Sequence, residues 1–181
     1  MRKFITIILL MMFCLACKSP EARRPISVKT GSFIDVSVTR NKQLNQEERN
    51  RIENIIQSNP DINYLASENG FWYYYNTKVE DDTITPAFGD LVNFNYNIKD
   101  LNGRTIYSTE ELKTRDYAVD QEELFSGLRE GIKLMKAGET VTFLFPSQKA
   151  YGYYGDTNRI GANIPIICKV TINTITQKET N

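Results

Sequence analysis

The 181-residue chain has no histidine, and that absence excludes a great deal. Serine–histidine–aspartate and cysteine–histidine catalysis are out, as are histidine-ligated zinc or copper and an imidazole base. Cysteine is scarce: only Cys14, Cys17 and Cys168 are present, too few for a four-cysteine zinc site. Phosphate-binding glycine loops are missing, because Gly152 and Gly155 fit neither a P-loop nor a dinucleotide fingerprint. No apolar run reaches the roughly 20 residues of a membrane-spanning helix. Neither sign of charge dominates, with 22 basic and 22 acidic residues, and no stretch reads as a nucleic-acid patch. The 41% hydrophobic content suffices for a real core.

What is present begins with an address. Arg2 and Lys3 precede Phe4 to Leu15, apolar apart from Thr6, and the run ends Cys14-Leu15-Ala16-Cys17 before a polar chain. Charge, a short apolar stretch and a small residue form the secretory signal pattern. The Ala16-Cys17 end resembles a bacterial lipoprotein signal, in which cleavage before the cysteine is followed by acylation. Cys14 stands where that family has leucine. The resemblance implies residues 1–16 as signal, Cys17 as the lipidation site, and stable anchoring by two or three acyl chains. The alternative is a secreted protein cut after Ala16 that keeps a free thiol. Removing Arg2 and Lys3 takes the 22 basic residues to 20 against 22 acidic, a formal charge of −2.

Residues 17–44 read as a tether, with Pro20 and Pro25, basic residues and few hydrophobics. A solvated linker is the simpler reading, and contact with anionic headgroups the other. Residues 45–68 read as a helical extension. Asn45 has the form of an N-cap with Glu48 three residues on, and Ile52, Ile55 and Ile56 follow at helical spacing until Asn59-Pro60. This face packs on the following domain or on a partner, the domain being favoured.

From residue 69 to 181 the pattern is a single α+β domain. Phe71 to Tyr75 is an aromatic strand run. Val92, Phe94, Tyr96 and Ile98 alternate with asparagines, which predicts a strand with one buried face. Asn102-Gly103 predicts a hairpin turn. Leu124, Leu128, Ile132 and Met135 mark one face of a short helix that Gly138 is placed to end. Val141, Phe143 and Phe145 alternate, Tyr151 to Arg159 is a loop, and Ile164 to Ile175 is a long strand carrying Cys168 on its buried face. The architecture expected is an antiparallel half-barrel wrapped around one short helix. Adjacent acidic pairs such as Asp81-Asp82, Glu110-Glu111 and Glu122-Glu123 point apart along an element, so they read as solvated surface. The inventory suits a chemistry that needs no nucleophile, metal or cofactor.

An ordered set of short motifs carries a resemblance over residues 70–176. Gly89-Asp90-Leu91-Val92, Tyr96 and Gly103 open it; Gly127-Leu128-Arg129-Glu130-Gly131 and Met135-Lys136-Ala137-Gly138-Glu139 come next; Ala150-Tyr151-Gly152 closes it. Together they resemble the FK506-binding-protein (FKBP) type of prolyl isomerase. The signal, the Ser19 to Pro25 stretch and the aromatic run also resemble the isomerase lipoproteins associated with bacterial gliding motility.

The resemblance implies an apolar bowl, formed between sheet and helix, that holds a proline ring without a cofactor. Tyr96, Phe125 and Tyr151 take catalytic places: a wall tyrosine, a backbone N–H for the substrate carbonyl, and a loop hydroxyl that bonds it. Ile106, Tyr107, Tyr117, Leu124, Leu128, Ile160 and Cys168 take substrate-binding places. Ile106 and Cys168 each stand where the family has phenylalanine, and two further departures matter more. Leu128 replaces the floor tryptophan, and Tyr107 replaces an aspartate used in ligand binding and catalysis. The implied activity is X–Pro isomerisation in proline-containing envelope polypeptides, by a protein held to the membrane through Cys17. The alternative is a non-catalytic module that grips a proline-containing segment of a motility or secretion assembly. Core packing also accounts for Tyr96, Leu124 and Leu128, since pocket and core share a face.

Overall fold

The computed structural model describes residues 31–80 and 83–179. The signal, Cys17, the first part of the tether, and Asp81-Asp82 lie outside the described residues. The chain divides into two compact units, Met1–Ser37 and Val38–Asn181, and the described part of the first is only the start of a helix.

That helix, α1, runs Gly31–Gln57. It starts well before the expected Asn45 cap. Residues 34–42 are all exposed and rich in β-branched side chains, so they carry neither an apolar stripe nor strong helix propensity to reveal them in sequence. Asn45 is therefore an exposed helical residue. Glu48 is no cap, but a buried carboxylate bonded elsewhere.

Beyond α1 the described residues form seven antiparallel strands: β1 (Leu65–Ala66), β2 (Trp72–Thr77), β3 (Leu91–Asp100), β4 (Thr105–Tyr107), β5 (Arg115–Ala118), β6 (Thr140–Phe145) and β7 (Ile166–Thr176). Two short helices, α2 (Thr109–Leu112) and α3 (Ser126–Ile132), interrupt them. The sheet order is β1-β2-β6-β7-β3-β4, with β5 also pairing β3. The sheet does not close into a barrel. β3 is its hub, because β7 takes one edge while β4 and β5 share the other. The β3–β4 turn holds Gly103 at φ +82°, and Asp100 Oδ1 accepts the N–H groups of Asn102 and Arg104 at 2.9 Å each.

The expected alternation places Val92, Phe94, Tyr96 and Ile98 of β3, and Ile166, Cys168, Val170 and Ile172 of β7, in one buried cluster. Helix α3 presses Leu128 and Ile132 into it. Two glycines allow the close approach. A Cβ on Gly127 would stand 2.6 Å from the Phe145 ring, and one on Gly131 would stand 2.8 Å from the Phe143 ring. The Phe143 and Phe145 rings stack at 5.3 Å beneath them. Gly138 does not end α3 directly. The helix stops at Lys133, and Gly138 at φ +80° serves the turn into β6.

The sheet's other face is also covered. Ile52 of α1 is fully buried with Leu144 and Leu101, and Ile55, Ile56, Trp72 and Tyr74 pack around them. Arg49 lies over the Trp72 ring at 5.4 Å. The helical extension thus packs on the domain. Burial of a side chain such as Ile52 is worth about 1.5–3 kcal/mol. The aromatic run of β2 divides by period two, Tyr73 and Tyr75 joining the inner cluster and Trp72 and Tyr74 the outer.

Several motif residues prove to be turn-makers. The buried Asp90 accepts the N–H of Ala87 at 2.8 Å and of Lys178 at 2.9 Å. The buried Glu139 accepts the N–H of Val79 at 3.0 Å and of Lys136 at 2.9 Å. Among the described residues no helix is long and apolar enough to cross a membrane.

Candidate active site

An open cleft of about 470 Å³ lies where β3, the loop before α3 and the loop after β6 converge. Tyr96, Leu124, Phe125 and Tyr151 line it, and Arg115, Arg129, Glu122 and Glu123 give it a charged rim. Each wall has a local cause. Tyr96 stands on the inward register of β3. Phe125 is the N-cap of α3, with extended backbone at φ −63° and ψ 146°. Leu124 precedes it on a loop that Tyr117 fixes, since the buried Tyr117 hydroxyl accepts the Asp120 N–H at 3.0 Å. Arg115 closes the rim by donating to the Glu123 carbonyl at 3.0 Å.

Tyr151 enters from the loop between the 3₁₀ turn Ser147–Lys149 and β7. Its ring meets Phe125 at 5.1 Å, and Phe125 meets Phe145 edge-on at 5.5 Å. Burial pushes the Tyr151 hydroxyl pKa up, and the neighbouring Tyr96, Cys168, Asp156 and Tyr107 add to it. Burial also raises the Tyr96 pKa, against the opposing pull of Arg115. Tyr151 is therefore a neutral O–H donor across the physiological range, suited to bonding a carbonyl oxygen.

The loop beyond Tyr151 is tied down by a carboxylate that sequence reasoning missed. Asp156 accepts the Tyr107 hydroxyl at one oxygen, and the N–H groups of Ile160 at 2.7 Å and Asn158 at 2.9 Å at the other. Desolvation opposes its charge, and these bonds more than offset it, holding the Asp156 pKa below the ordinary aspartate value. A Cβ on Gly155 would fall 2.1 Å from the Ile160 carbonyl, so the tight loop requires glycine there. Arg159 adds a second tie, with its guanidinium 4.9 Å over the Tyr107 ring, 2.8 Å from the Ile106 carbonyl and 2.8 Å from Glu111. Asp156 and Arg159 lie about 50 residues from their partners in sequence, and only the glycine-punctuated loop hinted that something is fixed there.

The ten expected pocket residues divide into three groups. Tyr96, Leu124, Phe125 and Tyr151 come together at the open cleft. Tyr117, Leu128 and Cys168 are 0% exposed and Ile160 3%, so they stand behind the cleft as core and offer a ligand no surface. Leu128 is not an accessible floor, because α3 packs it inward with Phe143 and Phe145. Burial raises the Cys168 thiol pKa, as for a small buried hydrophobe. Ile106 and Tyr107 stand at the edge: Ile106 lines a separate cavity with Arg159, and Tyr107 is the Asp156 partner. The Glu110-Glu111 pair is not merely solvated, since Glu111 completes a capping box with Ser108 as well as pairing Arg159. Among the described residues no group of acidic and cysteine side chains comes together that would hold a metal ion.

The family model of the FKBP-type peptidyl-prolyl cis-trans isomerases matches residues 82–173. The chain belongs to that family. Its enzyme class is accordingly peptidyl-prolyl cis-trans isomerase. Among the solved structures that share the fold are two neighbours. One is a peptidyl-prolyl cis-trans isomerase from Pseudomonas syringae pv. tomato, with 18% identity and TM-score 0.61 over 75% of this chain and 96% of its own. The other is FkpA from Escherichia coli, with 19% identity and TM-score 0.59 over 94% of this chain and 81% of its own. This isomerase therefore shares the fold of these structures.

Proposed function

We propose that this isomerase holds the proline ring of an envelope polypeptide in the cleft of Tyr96, Leu124, Phe125 and Tyr151, and catalyses rotation about the preceding peptide bond. The observation that carries the reading is the meeting of Tyr151 and Phe125 at 5.1 Å over an open cleft with Tyr96 and Leu124. In this reading the Tyr151 hydroxyl is the loop group that meets the substrate.

Rotation about X–Pro faces about 18–20 kcal/mol because twisting breaks amide resonance. The planar amide has the more polar carbonyl and is the form water stabilises. An apolar cleft strips that water away while the ring is held and the preceding carbonyl swings. In this scheme the Tyr151 hydroxyl and the Phe125 N–H donate to substrate carbonyl oxygens. A thousandfold acceleration needs only about 4 kcal/mol. Burial of a proline ring plus one hydrogen bond is of that order. No nucleophile, metal or cofactor enters the scheme.

In this reading the mature protein lies in the cell envelope, lipid-anchored at Cys17 and facing the periplasm, in the outer membrane rather than the inner. The Ala16-Cys17 signal and its resemblance to the gliding-motility lipoproteins support that placement. Clients are proline-containing envelope polypeptides whose uncatalysed isomerisation takes tens of seconds.

The test is the cis/trans exchange rate of a short X–Pro peptide, read by NMR with wild type, Tyr151→Phe and no protein. Wild type accelerates exchange, and Tyr151→Phe lowers turnover while the domain stays folded. A folded Tyr151→Phe protein with full turnover removes the hydroxyl from the mechanism. Peptide binding without acceleration turns the assignment to the proline-segment binding module.

A further inference from the structure

One buried carboxylate has no part in the proline cleft. Glu48 of α1 is 5% exposed, and Ser147 beside it is 3% exposed. The two Glu48 oxygens take both donors of that one serine. The Ser147 N–H reaches Oε2 at 2.7 Å, and the Ser147 hydroxyl reaches Oε1 at 2.7 Å. Burying a carboxylate is costly unless it is fully bonded, and two short charge-assisted bonds offset that cost. Adhesion of α1 to the sheet does not require it, because Ile52 already supplies apolar burial there. A bidentate carboxylate adds direction: it fixes the orientation of Ser147.

Ser147 passes that orientation on. Its carbonyl accepts the Ala150 N–H at 3.0 Å and the Gly152 N–H at 2.8 Å, the two residues that flank Tyr151. Helix α3 closes the opposite side of the same turn. A Cβ on Gly127 would stand 2.7 Å from the Lys149 carbonyl, so helix and turn are already in close contact. Tyr151 thus leaves a turn clamped between α1 and α3.

We propose that Glu48 is a positioning residue of the isomerase site, holding the backbone on both sides of Tyr151 through Ser147. Helix α1 is then part of the active-site framework, although it lies outside residues 82–173 that define the family. Displacement of α1, by a partner or by tension on the chain before it, lowers turnover without touching the cleft. The proposal rests on the reading of Tyr151 as a substrate contact, so its test needs a readout that does not depend on catalysis.

The experiment uses the mature chain as wild type, Glu48→Ala, Glu48→Gln and Tyr151→Phe. X–Pro exchange gives kcat and KM, and 3-fluorotyrosine placed at position 151 gives a fluorine resonance. Glu48→Ala is expected to lower kcat about tenfold, the scale of a small misplacement of a reacting group. KM moves little, and the position-151 resonance shifts or broadens. Glu48→Gln keeps one acceptor for the Ser147 N–H and restores part of both. A folded Glu48→Ala protein with wild-type kcat and an unmoved resonance overturns the proposal. Should Glu48→Ala fail to fold, Glu48→Gln decides, and wild-type values in both readouts overturn it. Should Tyr151→Phe keep full turnover, the substrate reading of Tyr151 fails on its own. The fluorine resonance then judges the positioning, a shift in Glu48→Ala upholding it and an unmoved line overturning it.

Discussion

Tyr107 shows how a side chain is fixed by a partner far away in sequence. In sequence it removes an aspartate from the cleft edge. In the structure its hydroxyl donates to Asp156, a carboxylate supplied by the loop. The pairing spans 49 residues, and no local pattern in sequence announces it. Its pH signature has a definite sign. Desolvation pushes the folded-state pKa of Asp156 up, but the bonds from Tyr107, Ile160 and Asn158 outweigh it and hold the pKa below the ordinary aspartate value. Its contribution to stability is therefore present above the unfolded value and lost as pH falls through the folded value. Tyr107→Phe keeps the ring under Arg159 and removes one of the bonds to the carboxylate. The folded pKa then rises toward the unfolded one, and the acid loss of stability begins at higher pH. Melting temperatures from about pH 2 to pH 6 check this. Superimposable acid limbs in wild type and Tyr107→Phe would show that Tyr107 does not hold the charge.

At the scale of elements, alternation made the strands legible and left the coverage of the sheet hidden. β3 and β7 read correctly because each shows a period of two with one face buried. β6 reads as alternating, yet Val141 to Phe145 are all buried, because α1 covers the face that alternation left to water. Half of α1 was illegible for the opposite reason: its exposed first part has no stripe to find. The contact predicts coupled energetics. Ile52→Ala and Leu144→Ala should each cost about 2–5 kcal/mol by opening a cavity. The double variant should cost less than the sum, since one cavity serves both. Additive losses in denaturant unfolding would mean that the two side chains pack independently. The helix on the other face makes the complementary case. Gly127→Ala gains about 1 kcal/mol of helix propensity. Its Cβ, however, would meet the Lys149 carbonyl at 2.7 Å and the Phe145 ring at 2.6 Å, and a backbone oxygen yields less than a flexible side chain. Overpacking of about 1–3 kcal/mol wins. The variant should melt lower than wild type, and an unchanged or raised midpoint would show that α3 can move off the turn.

For the whole molecule, the candidate cleft was legible in outline because the motifs marked Tyr96, Phe125 and Tyr151, which line it together. Its depth was not, because residues behind a cleft and residues lining it share one period; hence Tyr117, Leu128 and Cys168, read as substrate-binding positions, are fully buried in the core. The burial of Cys168 makes the address at the other end of the chain testable by counting thiols. After cleavage before Cys17, only Cys17 and Cys168 remain of the three cysteines. Cys168 is fully buried and its pKa is raised by desolvation, so both access and thiolate content are withheld from an aqueous thiol reagent until the sheet opens. If Cys17 carries the lipid, the membrane-extracted native protein should react at no cysteine, and the denatured protein at one. If the protein is merely secreted after cleavage behind Ala16, the native form reacts at one and the denatured form at two. Fatty-acid labelling supplies the independent check, since label should follow wild type and be absent from Cys17→Ser. Slow reaction of Cys168 in the native state then measures opening of the β3–β7–β6 sheet around it. Ile52→Ala should speed that reaction in proportion to the stability it removes, if α1 and the sheet unfold as one unit. An unchanged rate in a destabilised Ile52→Ala protein would instead make α1 a separately opening element.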